Sequence, residues 1–456
     1  MTEETAGRAA AHGGPNAFVL VTRERSLMLR FAAGRPTQST AIDDVTVEIA
    51  IPLEGQVGRA ATNAVDDASL ADCAERARLA ARAAAAAGEG TFPGFAPEYE
   101  SPPRNAFDPE TADLDPAVGA AALAEAFEVA GEHGVEAHGI WTVAEQDEAW
   151  ATVEGSRAER RTDAFMKVIC MTSERDRGRS GYASQTAVSF GDLDPRALTE
   201  RAASKALGSF AASREPAELE AGEYPVVFEP QALRSLLELL AYSAFNGLAH
   251  AEGRGALAGR LGESIAAPSV NLSDSPRFMR TLPHAFDTEG TPKAPLPLIQ
   301  DGVAHRVVHD VRSGALMGSA STGHALAPGG DPFGPLPTNL VLGGGGAADV
   351  EELCAPVERG IYVTRLWYEN VVRPKETLVT AVTRDGTFLI EDGRVTRPLR
   401  DLRLTDSVLS ILSSVQALTS GQELASDGEF YGRRFAYGVV CPALRAGRVR
   451  FTGPAG

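Results

Sequence analysis

The chain has 456 residues, of which 44% are hydrophobic and 23% charged, a composition typical of a globular protein with two or three domains. Its formal net charge of −18 disfavours nucleic-acid binding, which requires basic surface to neutralise phosphates. No apolar run is long enough to cross a bilayer, the first residues contain no signal-peptide core, and the four cysteines form no CxxC pair. We therefore expect a cytoplasmic protein with reduced thiols, no membrane contact and no nucleic-acid partner.

The N-terminal segment, residues 1–16, is small and polar, and we expect it to be a disordered tail. From Ala17 to Ile51, apolar and polar residues alternate, which predicts the strands of a meander. Asp66 or Asp67 then supplies the N-cap of a helix that runs to about Ala87.

Two Asp-Pro pairs open the next helices, because aspartate caps a helix whose first position tolerates proline. Asp115 starts a helix to about Ala130, and Asp194 starts another to about Leu207. The runs between them, including HGIWTVAE and DAFMKVICMTS, alternate as strands do. Together these elements predict an N-terminal α+β domain over residues 17–211.

The segment 212–223 is the predicted linker to a strand-rich C-terminal domain over residues 224–456. There YPVVFEP predicts a strand, and Gln231 to about Ala251 predicts a helix with one apolar stripe. The remainder is rich in short alternating runs such as IYVTRLWY and GTFLIEDGRV. Because strands and helices are segregated, the predicted fold class is α+β, an N-terminal α/β-meander domain followed by the strand-rich domain.

Several motifs of the C-terminal half follow one another in a fixed order. GRLGESIAAPSVNLSD precedes HAFDTEGTPKAPLPLIQDGVAHRVVHDVRSG, which contains an Asp-x-Glu-Gly core at Asp287 to Gly290. STGHA, PLPTNL, GIYVTRLW and FLIEDGRVTRPLRDLRLTDS come next, and GQVGRAATNAVDDASL stands near the N-terminus. This ordered set resembles the TldD/PmbA family of peptidases. Leu366-Trp367-Tyr368 and Thr383-Arg384-Asp385-Gly386 replace the usual glycine-rich segment of that family, which indicates a divergent subgroup.

The catalytic, TldD-like branch of the family carries HExxxH on the helix after YPVVFEP, and its histidines hold a divalent metal. Counted back from GRLGE, the histidine positions fall on Glu238 and Ser243, and the general-base position on Leu239. Leucine supplies neither a lone pair nor an ionisable group. The family's third ligand, a cysteine, aligns near Asp427. We therefore predict no catalytic residue and no metal in this chain, as in the metal-free branch, TldE or PmbA.

Glu238 is the one ionisable residue among the three helix positions. We expect it either to face the polar side of its helix or to pair with an arginine such as Arg234, one helical turn away.

The resemblance implies a heterodimer with a TldD-like catalytic subunit, in which zinc is expected. The two subunits would enclose a chamber that hydrolyses peptide or amide bonds, possible roles being the maturation of a peptide or of a specialised metabolite. A peptide held as an added strand presents its backbone regularly to one reactive centre. Five residues of the family's cleft are predicted to line this chamber: Phe286, Asp287, Glu289, Thr322 and His324.

Two other functions stay open on the sequence alone. A stand-alone peptidase or amidase with an unconventional site predicts hydrolysis by the isolated chain and a bound metal. A regulatory binding module, in keeping with the family's older label of gyrase modulator, predicts gyrase binding without a peptidase partner.

Overall fold

The computed structural model describes residues 1–100, 106–173, 179–278, 280–428 and 434–454. Strands exceed helices in these ranges and form three separate sheets, so the predicted α+β class is confirmed. Within the same ranges, no helix combines the length and apolarity needed to cross a membrane.

The N-terminal part is built on one antiparallel sheet. Its strands are β1 (Phe18–Ala32), β2 (Arg35–Leu53), β3 (Gln56–Thr62), β4 (Glu136–Thr152), β5 (Gly155–Met171) and β6 (Ser180–Ala187). They lie in the order β3-β2-β1-β4-β5-β6. The first three strands are sequential neighbours, which confirms the predicted meander.

The N-terminal part also contains α-helices. They are α1 (Thr2–Gly13), α2 (Asp67–Ala87), α3 (Pro109–Ala112), α4 (Pro116–Glu132) and α5 (Pro195–Leu207). Asp66, Asp115 and Asp194 each accept an N–H from the first turn of the helix that follows, which confirms these caps.

The predicted disorder of residues 1–16 is wrong, because most of this segment forms α1. Ala6, Ala9 and Ala10 are buried in a small core that α1 shares with α2 and the sheet. A segment of small residues stays disordered when it has nothing to pack against. Here the alanines permit close packing, and Arg8 adds a 2.9 Å hydrogen bond to Asp67.

The C-terminal part contains two further sheets. Its strands are β7 (Gly222–Phe228), β8 (Leu272–Asp274), β9 (Leu296–Gln300), β10 (Val303–Ala304), β11 (Leu340–Leu342), β12 (Arg359–Val363), β13 (Leu366–Arg373), β14 (Leu378–Thr383), β15 (Thr387–Glu391), β16 (Arg394–Pro398), β17 (Leu402–Ser407), β18 (Val415–Leu418), β19 (Glu423–Ala425), β20 (Val439–Cys441) and β21 (Leu444–Pro454). One sheet has the order β10-β9-β8-β11-β20-β19. The other has the order β13-β14-β17-β21-β7-β12-β15-β16, with β18 paired to β21.

The helices of this part are α6 (Pro230–Ala244), α7 (Gly247–Ala251), α8 (Val311–Leu316), α9 (Val350–Cys354) and α10 (Val408–Ser413). Leu233, Leu236, Leu237 and Leu240 of α6 are buried in one large core together with residues of both sheets, and Leu239 packs against this core. The prediction of one helix from Gln231 to Ala251 is wrong, because α6 ends at Ala244. Asn246 starts α7 by accepting the N–H of Ala249 at 3.0 Å, a local bond that competes with continued helix.

The predicted linker, residues 212–223, is packed against the C-terminal part. Ala217 donates its N–H to the carbonyl of Pro398 at 2.8 Å, and Ala217 and Leu219 belong to the large core. β7 begins at Gly222, inside the predicted linker. The segment is therefore a docked connection and not a free one.

Candidate functional site

The positions predicted to align with HExxxH of the TldD-like branch lie in the second half of α6. Leu239 is half-buried and packs against the large core. Ser243 is buried, and its hydroxyl donates a 2.8 Å hydrogen bond to the carbonyl of Leu239, one turn earlier. Neither side chain is available to a metal ion.

Glu238 is engaged by a cation of the same helix. The guanidinium of Arg234 donates from Nη1 to Oε2 of Glu238, so the predicted alternative of an ion pair with Arg234 is confirmed. The same guanidinium donates from Nη2 to Oδ2 of Asp427 at 2.8 Å. Arg234 therefore lies between Glu238 and Asp427, two of the positions predicted to correspond to metal ligands of the TldD-like branch. Its side chain is only 6% exposed.

Asp427 is held by the N-terminal part as well. Oδ1 accepts the hydroxyl of Tyr182 at 2.6 Å and the amide of Gln231 at 3.0 Å. Burial alone favours the protonated carboxyl, but the charges of Arg234 and Arg365 outweigh it and lower the pKa of Asp427. For Glu238, burial outweighs the attraction of Arg234, and its pKa is raised.

These residues do not fit the divalent metal of the catalytic branch. A zinc site needs three or four donors from nitrogen, sulfur or carboxylate oxygen around one point. Here the carboxylates of Glu238 and Asp427 both face the permanent cation of Arg234, and the hydroxyl of Ser243 bonds its own helix. The neighbouring residues Glu429 to Arg433, part of the predicted third-ligand region, lie outside the described residues.

A cavity of about 380 Å³ opens beside Glu238. It lies between β4 of the N-terminal sheet, α6 and several loops of the C-terminal part. Its lining is mainly apolar: Glu148, Glu238, Ala241, His284, Phe286, Asp287, Thr288, Lys293, Gly323, His324, Ala325, Leu326, Leu336, Pro337, Thr338, Leu340, Phe435, Tyr437, Gly438 and Val439.

The five predicted chamber residues fall into two groups. Phe286, Asp287 and His324 line this cavity. Glu289 and Thr322 do not: Glu289 is buried behind the wall, and the Thr322 hydroxyl bonds Nδ1 of His324 at 2.9 Å. Of the three predicted degenerate metal-site positions on α6, Glu238 belongs to the lining, and Leu239 and Ser243 do not.

The Asp-x-Glu-Gly core holds the cavity wall together. Asp287 accepts the N–H groups of Glu289, Thr291 and Ala325, each at 2.9 Å. Glu289 accepts those of Val311 at 2.9 Å and Gly329 at 3.0 Å. Burial raises the pKa of Asp287 to about 6. These carboxylates fasten loops by backbone hydrogen bonds, which is a positioning role.

Two lining residues of the cavity, Lys293 and His324, approach one buried carboxylate. Lys293, 2% exposed, lies 3.5 Å from Asp274, and His324 Nε2 lies 3.4 Å from the same carboxylate. Lys293 and Asp274 are not among the residues predicted from the sequence to line the site, although each stands inside one of the motifs that resemble the family. The pairing joins residues of different loops, so no spacing within the chain predicts it.

The sequence of the chain is similar to those of known metallopeptidases. The family model described as the PmbA/TldA metallopeptidase C-terminal domain matches residues 221–453. A metalloprotease of Methanothermobacter thermautotrophicus is 26% identical over 228 residues, 50% of this chain and 48% of the relative. A metalloprotease TldD homolog of Haemophilus influenzae is 24% identical over 294 residues, 61% and 59% of the two chains. The chain thus spans about half to three fifths of the length of these curated relatives.

Solved structures match over the whole chain. TldE from Thermococcus kodakarensis superimposes with a TM-score of 0.84 at 18% identity and 99% coverage of both chains. A proposed modulator of a DNA gyrase from Thermotoga maritima gives 0.83 at 19% identity, with 98% and 99% coverage. At these identities the likeness establishes a shared fold.

Proposed function

The chain belongs to the PmbA/TldD family of metallopeptidases, and from this premise we propose that it is a non-catalytic, TldE-like subunit. In this proposal its partner is a TldD-like subunit that supplies zinc, and the pair hydrolyses peptide or amide bonds in the cytoplasm. The maturation of a peptide or of a specialised metabolite is the kind of pathway that such a pair would serve.

One observation carries the proposal: Arg234 binds Glu238 and Asp427 at the same time. A guanidinium is charged at all physiological pH values and cannot polarise a water molecule as a Lewis acid does. With Leu239 in the general-base position, α6 offers no ionisable group there to activate a nucleophile, and the carboxylate of Glu238 is paired with Arg234. What the chain retains is a cavity, and a cavity can hold and orient a substrate.

Co-expression with a homologue that carries HExxxH tests the proposal. We expect a one-to-one complex that contains zinc and cleaves unstructured peptides, while this chain alone contains no stoichiometric zinc and does not cleave them. Ser243→Ala in this chain should leave the activity of the complex intact, because the hydroxyl bonds only its own helix. Replacement of the partner's metal-binding histidines should abolish it.

The competing functions give different results in the same experiment. Hydrolysis by the isolated chain, sensitive to chelators, would establish a stand-alone enzyme. Stable binding to gyrase, with no complex formed with the HExxxH homologue, would favour a regulatory module.

A further inference from the structure

The cavity beside Glu238 has properties that point to a particular ligand. We propose that it binds one bulky, uncharged side chain, aromatic or branched aliphatic, of an extended peptide. This inference rests on the proposed function and adds to it a substrate preference that this subunit itself imposes.

The size and the walls of the cavity set the class of side chain. Its volume of about 380 Å³ lies near the lower end of ligand pockets, roughly 300–1,000 Å³. Such a space accepts a large side chain with its adjoining backbone, but not a folded segment. The walls include Phe286, Leu336, Leu340, Phe435 and Val439, and apolar area of this kind favours a ligand that removes it from water.

The charged groups of the lining offer no counter-ion to an anionic ligand. Glu148 accepts from Arg161 at 2.9 Å, and Asp287 accepts three backbone N–H groups. Lys293 donates to the carbonyl of Gly323 at 3.2 Å and lies 3.5 Å from Asp274. A carboxylate side chain of the ligand would therefore lose its hydration without gaining a counter-ion, which is costly. The cavity selects against anionic side chains, and its apolar walls favour an uncharged one.

Polar residues of the lining distinguish a peptide from a simple apolar molecule. Glu238, Thr288 and Thr338 stand among the apolar walls of the cavity. A peptide carries one donor and one acceptor on each residue, and side-chain carboxylates and hydroxyls can bond to them.

The cavity is formed before any ligand arrives. Asp287 and Glu289 fasten the loops of one wall, and on another side the ring of Trp150 packs on Phe286 with centroids 4.3 Å apart. A wall fixed in this way loses little freedom on binding, so the interaction energy appears as affinity.

Calorimetric titration of the isolated full-length chain tests the inference. The ligands are N-acetyl-phenylalanine amide, the corresponding alanine and glutamate amides, and toluene. We expect the phenylalanine amide to bind at least about tenfold more tightly than the other two amides, and more tightly than toluene. Equal binding of all three amides would overturn the apolar preference. Toluene binding as tightly as the phenylalanine amide would overturn the peptide assignment.

Cavity-filling variants locate the bound ligand. Ala241 and Ala325 are 4% exposed and line the cavity, so Ala241→Leu and Ala325→Leu should each weaken binding at least about tenfold. Ala83→Leu, on the exposed face of α2, is the matched control and should bind as wild type. Two lining variants that melt near the wild-type temperature and still bind normally would refute the site. Because no partner subunit is present, a negative result leaves complex formation and hydrolysis as separate questions.

Discussion

Arg234 and Asp427 are 193 residues apart in the chain and are joined by a 2.8 Å hydrogen bond from Nη2 to Oδ2. Asp427 also accepts the hydroxyl of Tyr182, which lies on β6 of the N-terminal sheet. The guanidinium thus stands where α6, the loop after β19 and the N-terminal part meet. In electrostatic terms it is a fixed cation among carboxylates, and that is the charge a metal ion brings to such a place.

Removal of this cation should destabilise the protein. Arg234→Met leaves Glu238 and Asp427, whose side chains are 23% and 29% exposed, without their shared counter-charge. Breaking a largely buried pair on one side costs about 3 kcal/mol. We expect a loss of that order in the free energy of unfolding, measured by urea titration with the slope compared between variants.

Arg196→Met is the control for the loss of an arginine. Arg196 is 39% exposed and lies 3.5–3.8 Å from four glutamates on α4 and α5. Exposed pairs are screened by water, so this change should cost less than about 1 kcal/mol. Equal losses for the two variants would mean that Arg234 is an ordinary surface cation.

Predictions from the sequence are most accurate for features that depend only on residues close together in the chain. Asp66, Asp115 and Asp194 cap the helices as expected, because a cap needs only a carboxylate and the next few N–H groups. The Arg234–Glu238 pair is likewise a local, one-turn contact. α1 was missed, since its alanines gain stability only from surfaces that other segments provide.

The candidate site is formed by contacts between residues far apart in the sequence, and no local pattern predicts such contacts. The bond from Arg234 to Asp427 and the approach of Lys293 to Asp274 each join distant segments. The motif containing Asp287 and Glu289 was found, but its spacing did not distinguish a lining carboxylate from one that fastens a loop. Both tasks use the same residue type, and only the tertiary structure separates them.

Gly290 is the last residue of the Asp-x-Glu-Gly core. Glycine is required at this position because the two parts of the chain approach each other closely there. Its φ is +74°, and a Cβ there would lie 2.8 Å from Cβ of Pro97 and from Cδ1 of Trp150. Gly262 has a φ of +88° but nothing within 4 Å of such a Cβ. Both glycines adopt a left-handed backbone conformation, but of the two, Gly290 alone has other atoms within 4 Å of the position of a Cβ.

Alanine substitutions at both positions isolate that contact. Gly262→Ala should lower the free energy of unfolding by about 1 kcal/mol, because the left-handed conformation is unfavourable for a residue with a Cβ. Gly290→Ala should cost about 1–3 kcal/mol more, because the new methyl group forces Trp150 or Pro97 to move. Urea unfolding followed by tryptophan fluorescence measures both, and equal midpoints would show that the contact relaxes freely.

His284 makes stability depend on pH. It is 6% exposed, its Nε2 lies 2.9 Å from the carbonyl of Ala436, and burial together with the charge of Arg161 lowers its pKa to about 3. The unfolded chain therefore takes up a proton near pH 6.5, where the folded chain does not. Its contribution to stability is complete above pH 6.5 and is lost progressively as the pH falls towards 3.

His284→Phe removes this titration and retains an aromatic ring to stack on Phe435. Between pH 6.5 and 5.0 the wild type should lose about 2 kcal/mol more than the variant. Unfolding free energies at pH 7.0, 6.5, 5.5 and 5.0 give the comparison. Parallel curves for the two proteins would mean that His284 becomes protonated without loss of the fold.

Restoring the helix motif alone should not restore a metal site. Glu238→His, Leu239→Glu and Ser243→His together recreate HExxxH on α6, but Arg234 remains within one turn, bound to Asp427. A guanidinium next to a divalent cation is repulsive and cannot act as a ligand. We expect the triple variant, purified after growth with zinc, to contain no stoichiometric metal by elemental analysis.

Adding Arg234→Ala and Asp427→Cys to the triple variant removes the cation and supplies the third donor, so zinc should then bind. Stoichiometric zinc in the triple variant would contradict the place assigned to Arg234.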